Sequence, residues 1–331
     1  MELRCDAVFQ GGGVKGIGLV GAVAAIEKAG YSFVNVAGSS AGAIVSSLIA
    51  AGYSSDELKE ELNQLDYLKL KQGGFLEKMG TFGEVLSILF HYGIYSADYF
   101  ENWLESLLAK KGKTRFKDIR TDFEEEKFRY KFNAIASDLT DRKMLVLPGD
   151  LKQFGYDPDE YKIAKAVRMS MSIPVFFEPF KLKDMDGREH IIVDGGLLSN
   201  YPIWLLDDKS KNPPWPTFGF KFNTDTSNDA QRGSTGGKGD KITNLFGYVM
   251  SLLHTMLDAH DKYHISTSSG DFDRTILIST QLAHGQSRDA IGTTDFDITQ
   301  AESDELFANG FLSAEKFLAS WDFSAWVGKY R

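Results

Sequence analysis

Short apolar runs, cut by glycine- and serine-rich turns, organise the first half of the chain. Leu3 to Phe9 is a run of strand length, and Phe33 to Val36 is another. Ile17 to Ala29 and Ala41 to Ala51 carry apolar and small residues at helical spacing. Ser54 and Glu57 make a capping-box pattern ahead of Leu58, Leu62 and Leu65. Ser96 stands where it can cap a helix running to about Ala109. Phe128 to Ala136 and Met144 to Leu147 read as strands, and Asp159 to Ser170 as a helix stopped before Pro174. Ile191 to Val193 and Phe218 to Phe222 are further strands. Lys241 to about His264 reads as a long amphipathic helix, with Leu245, Val249, Leu252, Leu253, Met256 and Leu257 on one stripe. Arg274 to Ser279 is a late strand, and Thr299 to Ser320 a final helix.

This alternation with short links predicts an α/β fold, a central mainly parallel sheet flanked by helices on both faces. No internal repeat is visible. Asn223 to Lys241 is polar and glycine-rich, the composition of a surface loop. No linker divides the chain, so the reading is one domain over residues 1–331. Its motif-bearing part spans about 4–222, with C-terminal helices of 241–320 packed on it.

Composition narrows the classes. The 331 residues carry a formal net charge of −9, which argues against a nucleic-acid binder. The single cysteine, Cys5, permits no internal disulfide, lies inside the first apolar run and reads as core. The opening MELRCDAVFQGGG has no long apolar stretch, so no secretory signal is expected and the cytoplasm is the expected compartment. Ala29 to Ser55 has no charged residue and is long enough to span a bilayer. It breaks at Gly38-Ser39-Ser40, so it reads as strand, sharp turn and helix instead.

That break is also the first candidate for chemistry. Gly38-Ser39-Ser40-Ala41-Gly42 fits G-x-S-x-G between a strand and a helix, the setting of a nucleophile elbow. Small residues at Gly38 and Gly42 let the turn tighten, Ser40 projects beyond the sheet, and the following helix points its N-terminus at the reaction centre. Upstream, Gly11-Gly12-Gly13-Val14-Lys15-Gly16 follows the first strand. Such a loop can turn backbone N–H groups toward one point, as an oxyanion hole requires. Lys15 is expected to face outward or to pair structurally.

The same loop fits G-x-G-x-x-G, which leaves a dinucleotide-binding oxidoreductase as an alternative. Against it, the second strand ends Val34-Asn35-Val36-Ala37-Gly38 without the acidic residue that fingerprint needs. A Walker-type loop fails because Ile17 follows Gly16. Asp194-Gly195-Gly196 ends another apolar strand. Alone it would read as an ordinary turn. It gains weight from the company of the other two motifs.

GGGVKG, GSSAG and DGG in this order resemble the patatin-like phospholipases. The likeness extends through Ala136-Ser137-Asp138-Leu139 and Ser170-Met171-Ser172-Ile173-Pro174, with Phe177 and Pro179 after it. It runs from about Val8 to Gly196. The resemblance implies a Ser–Asp dyad, with Ser40 as nucleophile, Asp194 as general base and Gly11, Gly12 and Gly13 as the oxyanion loop. It implies hydrolysis of fatty acyl esters of phospholipids, lysophospholipids or related lipids, with no metal and no cofactor. The partner would be a lipid surface met transiently. A non-catalytic lipid-binding protein is the remaining alternative.

Other residues read as structural. His91, His190, His254, His260, His264 and His284 have no metal or triad context; His190 is placed before the Asp194 strand, at its opposite end. Lys110, Lys111, Lys113, Arg115, Lys117 and Arg120 read as a solvated basic run, with a lipid-headgroup contact as the sharper option. Thr81 to Tyr95 is apolar and aromatic, either core or an acyl-chain wall.

Overall fold

The computed structural model describes residues 2–65, 93–223, 251, 255, 270–283, 289–293 and 295–331. The expected helix over 241–264 and the loop before it lie outside these, apart from Asn223, Ser251 and Thr255. So does most of the Thr81–Tyr95 segment.

The first elements are β1 (Leu3–Phe9), α1 (Gly16–Lys28), β2 (Tyr31–Gly38), α2 (Ala41–Ala51) and α3 (Ser55–Gln64). α3 opens with the full capping box that Ser54 and Glu57 foretell. Next come β3 (Gly93–Tyr95) and α4 (Asp98–Lys110). Ala97 is the N-cap of α4, and Ser96 Oγ accepts the Asp98 N–H at 3.2 Å. Then follow β4 (Phe132–Asp138), β5 (Lys143–Leu147), α5 (Ile163–Ser170), β6 (Val175–Phe177), β7 (Phe180–Lys183), β8 (Glu189–Asp194) and the short α6 (Gly196–Ser199). The chain closes with β9 (Thr217–Asn223), β10 (Thr275–Ser279), α7 (Gln300–Leu318) and α8 (Phe323–Tyr330). α5 starts later than the sequence suggests, because Pro158 and the turn around Asp159 precede it. β3, β6, β7 and α6 are too short for periodicity to reveal.

β10, β9, β1, β2 and β4 form a parallel array in that order. β5 and β8 both pair antiparallel with β4, and β7 pairs antiparallel with β8. The register on β4 fixes an unusual arrangement. β5 and β2 both pair with Ala134, so they hold opposite edges. β5 and β8 both pair with Ala136, Ser137 and Asp138, so they too hold opposite edges. β2 and β8 therefore share one edge of β4, entering from opposite directions. Their C-terminal ends meet there, Gly38 against Ala134 and Asp194 against Ala136.

The two faces are covered unequally among the described residues. One carries α1, α2, α5 and α7 over the main core, including Phe9, Leu19, Leu48, Phe132 and Phe220. The other is covered by α6 and the turns after it, through Tyr201, Ile203, Leu205 and Leu206 on Val8, Ala37 and Ile135. Burial of such side chains contributes about 25 cal/mol per Å² of apolar surface. The late elements belong to the same sheet. They are tied back by Arg274, buried between Asp207 (2.7 Å) and Asp271 (2.6 Å), and by Arg331, which also pairs with Asp207.

Candidate active site

The turn after β2 is a tight one. Ser40 has φ 53° and ψ −123°, a conformation L-residues rarely hold. Its surroundings impose it. A Cβ on Gly42 would fall 2.2 Å from the Phe9 carbonyl oxygen, and one on Gly38 would fall 2.4 Å from Gly42 itself. Only glycine lets β1, β2 and α2 approach so closely. Ser39 is turned away, its hydroxyl donating to the Ser199 carbonyl at 2.6 Å. The Ser40 N–H donates to Ser170 Oγ at 3.1 Å.

Asp194 reaches Ser40 by a route the sequence does not suggest. In an α/β sheet an aspartate at a strand's C-terminal end is expected beside the parallel strand ends. β8 runs the other way, and Asp194 meets the elbow because β2 and β8 abut on β4. The turn after α5 holds both partners. The Ser172 carbonyl accepts the Asp194 N–H at 2.9 Å, and the Ser170 carbonyl accepts the Gly195 N–H at 3.1 Å. Arg168 braces that turn, donating to Ser172 Oγ and, at 2.8 Å, to the Glu178 carbonyl.

The Asp194 carboxylate is asymmetric. Oδ1 accepts the Gly196 N–H at 2.7 Å, whereas Oδ2 is buried without a fully formed hydrogen bond. Burial raises its pKa from 3.8 to about 7, against the opposing pull of the Ser40 hydroxyl and the Gly196 N–H.

The glycine loop lies across from this pair. The Gly11 N–H is already given to the Asn200 carbonyl at 3.0 Å. Those of Gly12 and Gly13 have no acceptor among the described residues. Gly13 has φ +58°, and a Cβ there would meet the Thr293 carbonyl oxygen at 1.9 Å. That oxygen accepts the Val14 N–H at 3.2 Å. Lys15 does not face outward: it is buried, with Nζ 5.0 Å above the Phe222 ring. Cys5 is core, and burial pushes its thiol well above the usual range.

A pocket opens beside Ser40. Its other walls are apolar, from Ile44, Leu62, Phe100, Ile173, Phe177 and Phe296 among others. Among the described residues no charged side chain lines it.

Of the histidines only His190 is among the described residues. It lies inside β8, not before it, and is buried. Nδ1 is 2.8 Å from Asp138 Oδ2, and Nε2 is 3.4 Å from Asp184 Oδ2. Four residues of strand place it about 13 Å from Asp194. Asp138, Asp141 and His190 come together with metal-ligand chemistry. Their atoms are taken, however. Asp138 Oδ1 accepts the Thr140 and Asp141 N–H groups, and Asp141 pairs with Arg188 at 3.0 Å and Lys143 at 3.2 Å. The basic run is also spoken for. Lys110 pairs with Glu61, Lys111 with Glu57, Arg115 and Lys117 with Glu160, and Arg120 with Asp159, while Lys113 donates to the Asp118 carbonyl.

Sequence reasoning passed over Asn200, Ser170 as a partner of Ser40, and the Thr293–Phe296 segment. Ser170 lay in a block already noted for its resemblance. Asn200 and Phe296 carry no local signal, since only tertiary packing brings them to the loop and pocket.

Comparisons with known proteins bear on the family and the fold. A family model described as patatin-like phospholipase matches residues 7–207. The uncharacterized protein YqhO of Bacillus subtilis strain 168 is 37% identical over 318 residues, covering 96% of this chain and 99% of YqhO. Among solved structures, VipD from Legionella pneumophila superposes with a TM-score of 0.56 at 18% identity, over 97% of this chain and 67% of VipD. The type III effector ExoU of Pseudomonas aeruginosa gives 0.51 at 16% identity, over 96% of this chain. The chain spans about half of ExoU (53%). At these identities the two effectors speak to the fold.

Proposed function

The chain belongs to the patatin-like phospholipase family and is a lipid acyl hydrolase, and we propose that it works through a dyad of Ser40 and Asp194. One observation carries this reading: a buried carboxylate, Asp194, that interacts with the hydroxyl of a strained serine while its Oδ2 lacks a fully formed hydrogen bond. A carboxylate is a weak base for an alcohol. Raising its pKa to about 7 brings it to the working range of a general base.

The steps follow. Asp194 takes the proton of Ser40 Oγ as that oxygen attacks the ester carbonyl. The N–H groups of Gly12 and Gly13 receive the oxyanion; Gly11 shapes the loop through Asn200. One such donor is worth about 3 kcal/mol of transition-state stabilisation. Collapse breaks the ester bond, and protonated Asp194 returns its proton to the leaving alcohol. Water then attacks the acyl-enzyme, giving its proton to Asp194. The second tetrahedral intermediate releases Ser40, reprotonated by Asp194, and the fatty acid.

The apolar pocket suits the acyl chain of a phospholipid, lysophospholipid or related lipid. The headgroup side then lies outside it. No helix among the described residues is long and apolar enough to cross a membrane. We read the protein as a single domain acting from the cytoplasm on lipid surfaces, transiently. Five cations of the basic run pair with carboxylates and Lys113 donates to a carbonyl, which favours a solvated surface over a headgroup contact for that run. The test is a fluorophosphonate probe followed by mass spectrometry. Label is expected on Ser40, and label on Ser39, or none, rejects the dyad.

A further inference from the structure

We propose that Phe296 determines which acyl chains the enzyme accepts; this rests on the reading of Ser40 as the acylated serine. Phe296 lines the pocket beside Ser40, and it lies outside residues 7–207 that the family model matches. Its ring is stacked on Phe176, centroids 4.9 Å apart and planes within 18°. Phe176 in turn meets the edge of Phe177, another pocket residue, at 4.9 Å. Successive strand residues ordinarily point to opposite faces. Here Val175 just before them has φ +70°, a rare strain for a β-branched residue. With that strain at the start of β6, Phe177 lines the cavity while Phe176 packs behind it, against both Phe177 and Phe296. Such strain persists only where the surroundings over-determine it.

The segment carrying Phe296 is anchored on both sides of the site. The Ile291 N–H donates to the Thr280 carbonyl, just past the end of β10, at 3.2 Å. The Thr293 carbonyl receives the Val14 N–H beside the oxyanion loop, and Asp295 accepts the Gly292 N–H at 2.8 Å. Phe296 is itself buried. It is a fixed wall, so the width it leaves is a property of the folded protein. A methylene more or less in an apolar pocket changes the rate by roughly 10- to 200-fold. Removing a ring should therefore move the preference to longer or bulkier chains, and enlarging it should do the reverse.

The experiment measures kcat/KM over a series of p-nitrophenyl esters from butyrate to palmitate. It compares the wild type with Phe296→Ala, Phe296→Leu and Phe296→Trp. Each variant is checked by circular dichroism, and the leucine variant serves if alanine loosens the fold. The laurate-to-butyrate ratio should rise at least about tenfold in the smaller variants and fall in the tryptophan variant. Leu312→Ala, exposed on α7, should keep the wild-type profile. An unchanged profile in the folded smaller variants overturns the proposal, as does a shift of all three in one direction. Failure of Ser40-dependent hydrolysis would reject the functional reading instead. The wall is then read without catalysis, by the melting shift that butyrate, laurate and palmitate give Ser40→Ala and Ser40→Ala/Phe296→Ala. The same ranking of acids in both proteins overturns it.

Discussion

The two ends of β8 carry ionisable groups in opposite conditions. At the inner end Asp194 is buried with one oxygen lacking a full hydrogen bond, and desolvation lifts its pKa to about 7. At the outer end His190 is equally buried, yet both ring nitrogens face carboxylate oxygens and Phe154 packs edge-on against the ring at 4.9 Å. With both nitrogens engaged by carboxylates, the ring has nothing left to offer a substrate. One strand thus holds a polar group kept short of partners and another saturated with them. The first arrangement is destabilising and, on the proposed dyad, reactive; the second is stabilising and on that reading inert. Burial and residue type alone do not separate them; the count of satisfied atoms does.

The strongest way to break this contrast is to remove the proposed dyad. Ser40→Ala and Asp194→Asn should each lower kcat/KM on a soluble aryl ester by about 10³-fold or more, with folding intact by circular dichroism. Next is the pH dependence. Only ionised Asp194 can accept the proton, so kcat/KM should fall about tenfold per unit below a midpoint near 7. Asp194→Asn also has a stability signature. The folded pKa lies above the ordinary 3.8, so the folded chain holds that proton more tightly. Stability therefore drops as pH rises from about 4 to about 7, and the loss is complete above that. Thermal melts should show Asp194→Asn gaining over wild type by up to about 4 kcal/mol at pH 8, the gain vanishing near pH 4.

At the other end of β8 the expectation inverts. His190→Gln should cost about 3 kcal/mol in urea unfolding by leaving Asp138 buried without its partner. Its kcat/KM should stay within about tenfold, a barrier change of ~1.4 kcal/mol. A folded His190 variant as inactive as Ser40→Ala would restore a triad. The smallest effect belongs to a site remote from both ends: Ser54→Ala removes the α3 cap and should lower stability by about 1 kcal/mol without altering the rate.

Much of this was legible in the sequence. The elbow, the glycine loop and the capping box are local devices, written in residues three or four apart. The direction of β8 was not, because Ile191-Ile192-Val193 reads the same whether a strand runs parallel or antiparallel. Asp194 was singled out for a position at the parallel strand ends, whereas it arrives head-on from the opposite side. Lys15 was expected to face outward or to pair structurally; it is buried, and the Phe222 ring beneath it comes from a strand some two hundred residues on. α8 did have a signal: Asp322 accepts the Ala325 N–H as an N-cap, ahead of Trp326 and Tyr330 at helical spacing.

The abutment of β2 and β8 also orders events in time. Ser40 and Asp194 stand roughly 150 residues apart in the chain, and closing so long a loop is slow relative to local structure. β1, β2, α2 and β4 can come together before β8 exists, but on the proposed dyad the serine would then stand without its base. Only when β8 docks in register on Ala136 does the second group arrive, and a slip of one residue would turn its side chain to the other face. On that reading a nascent or half-folded chain is inert toward the lipids around it, and hydrolytic power appears only with the completed sheet.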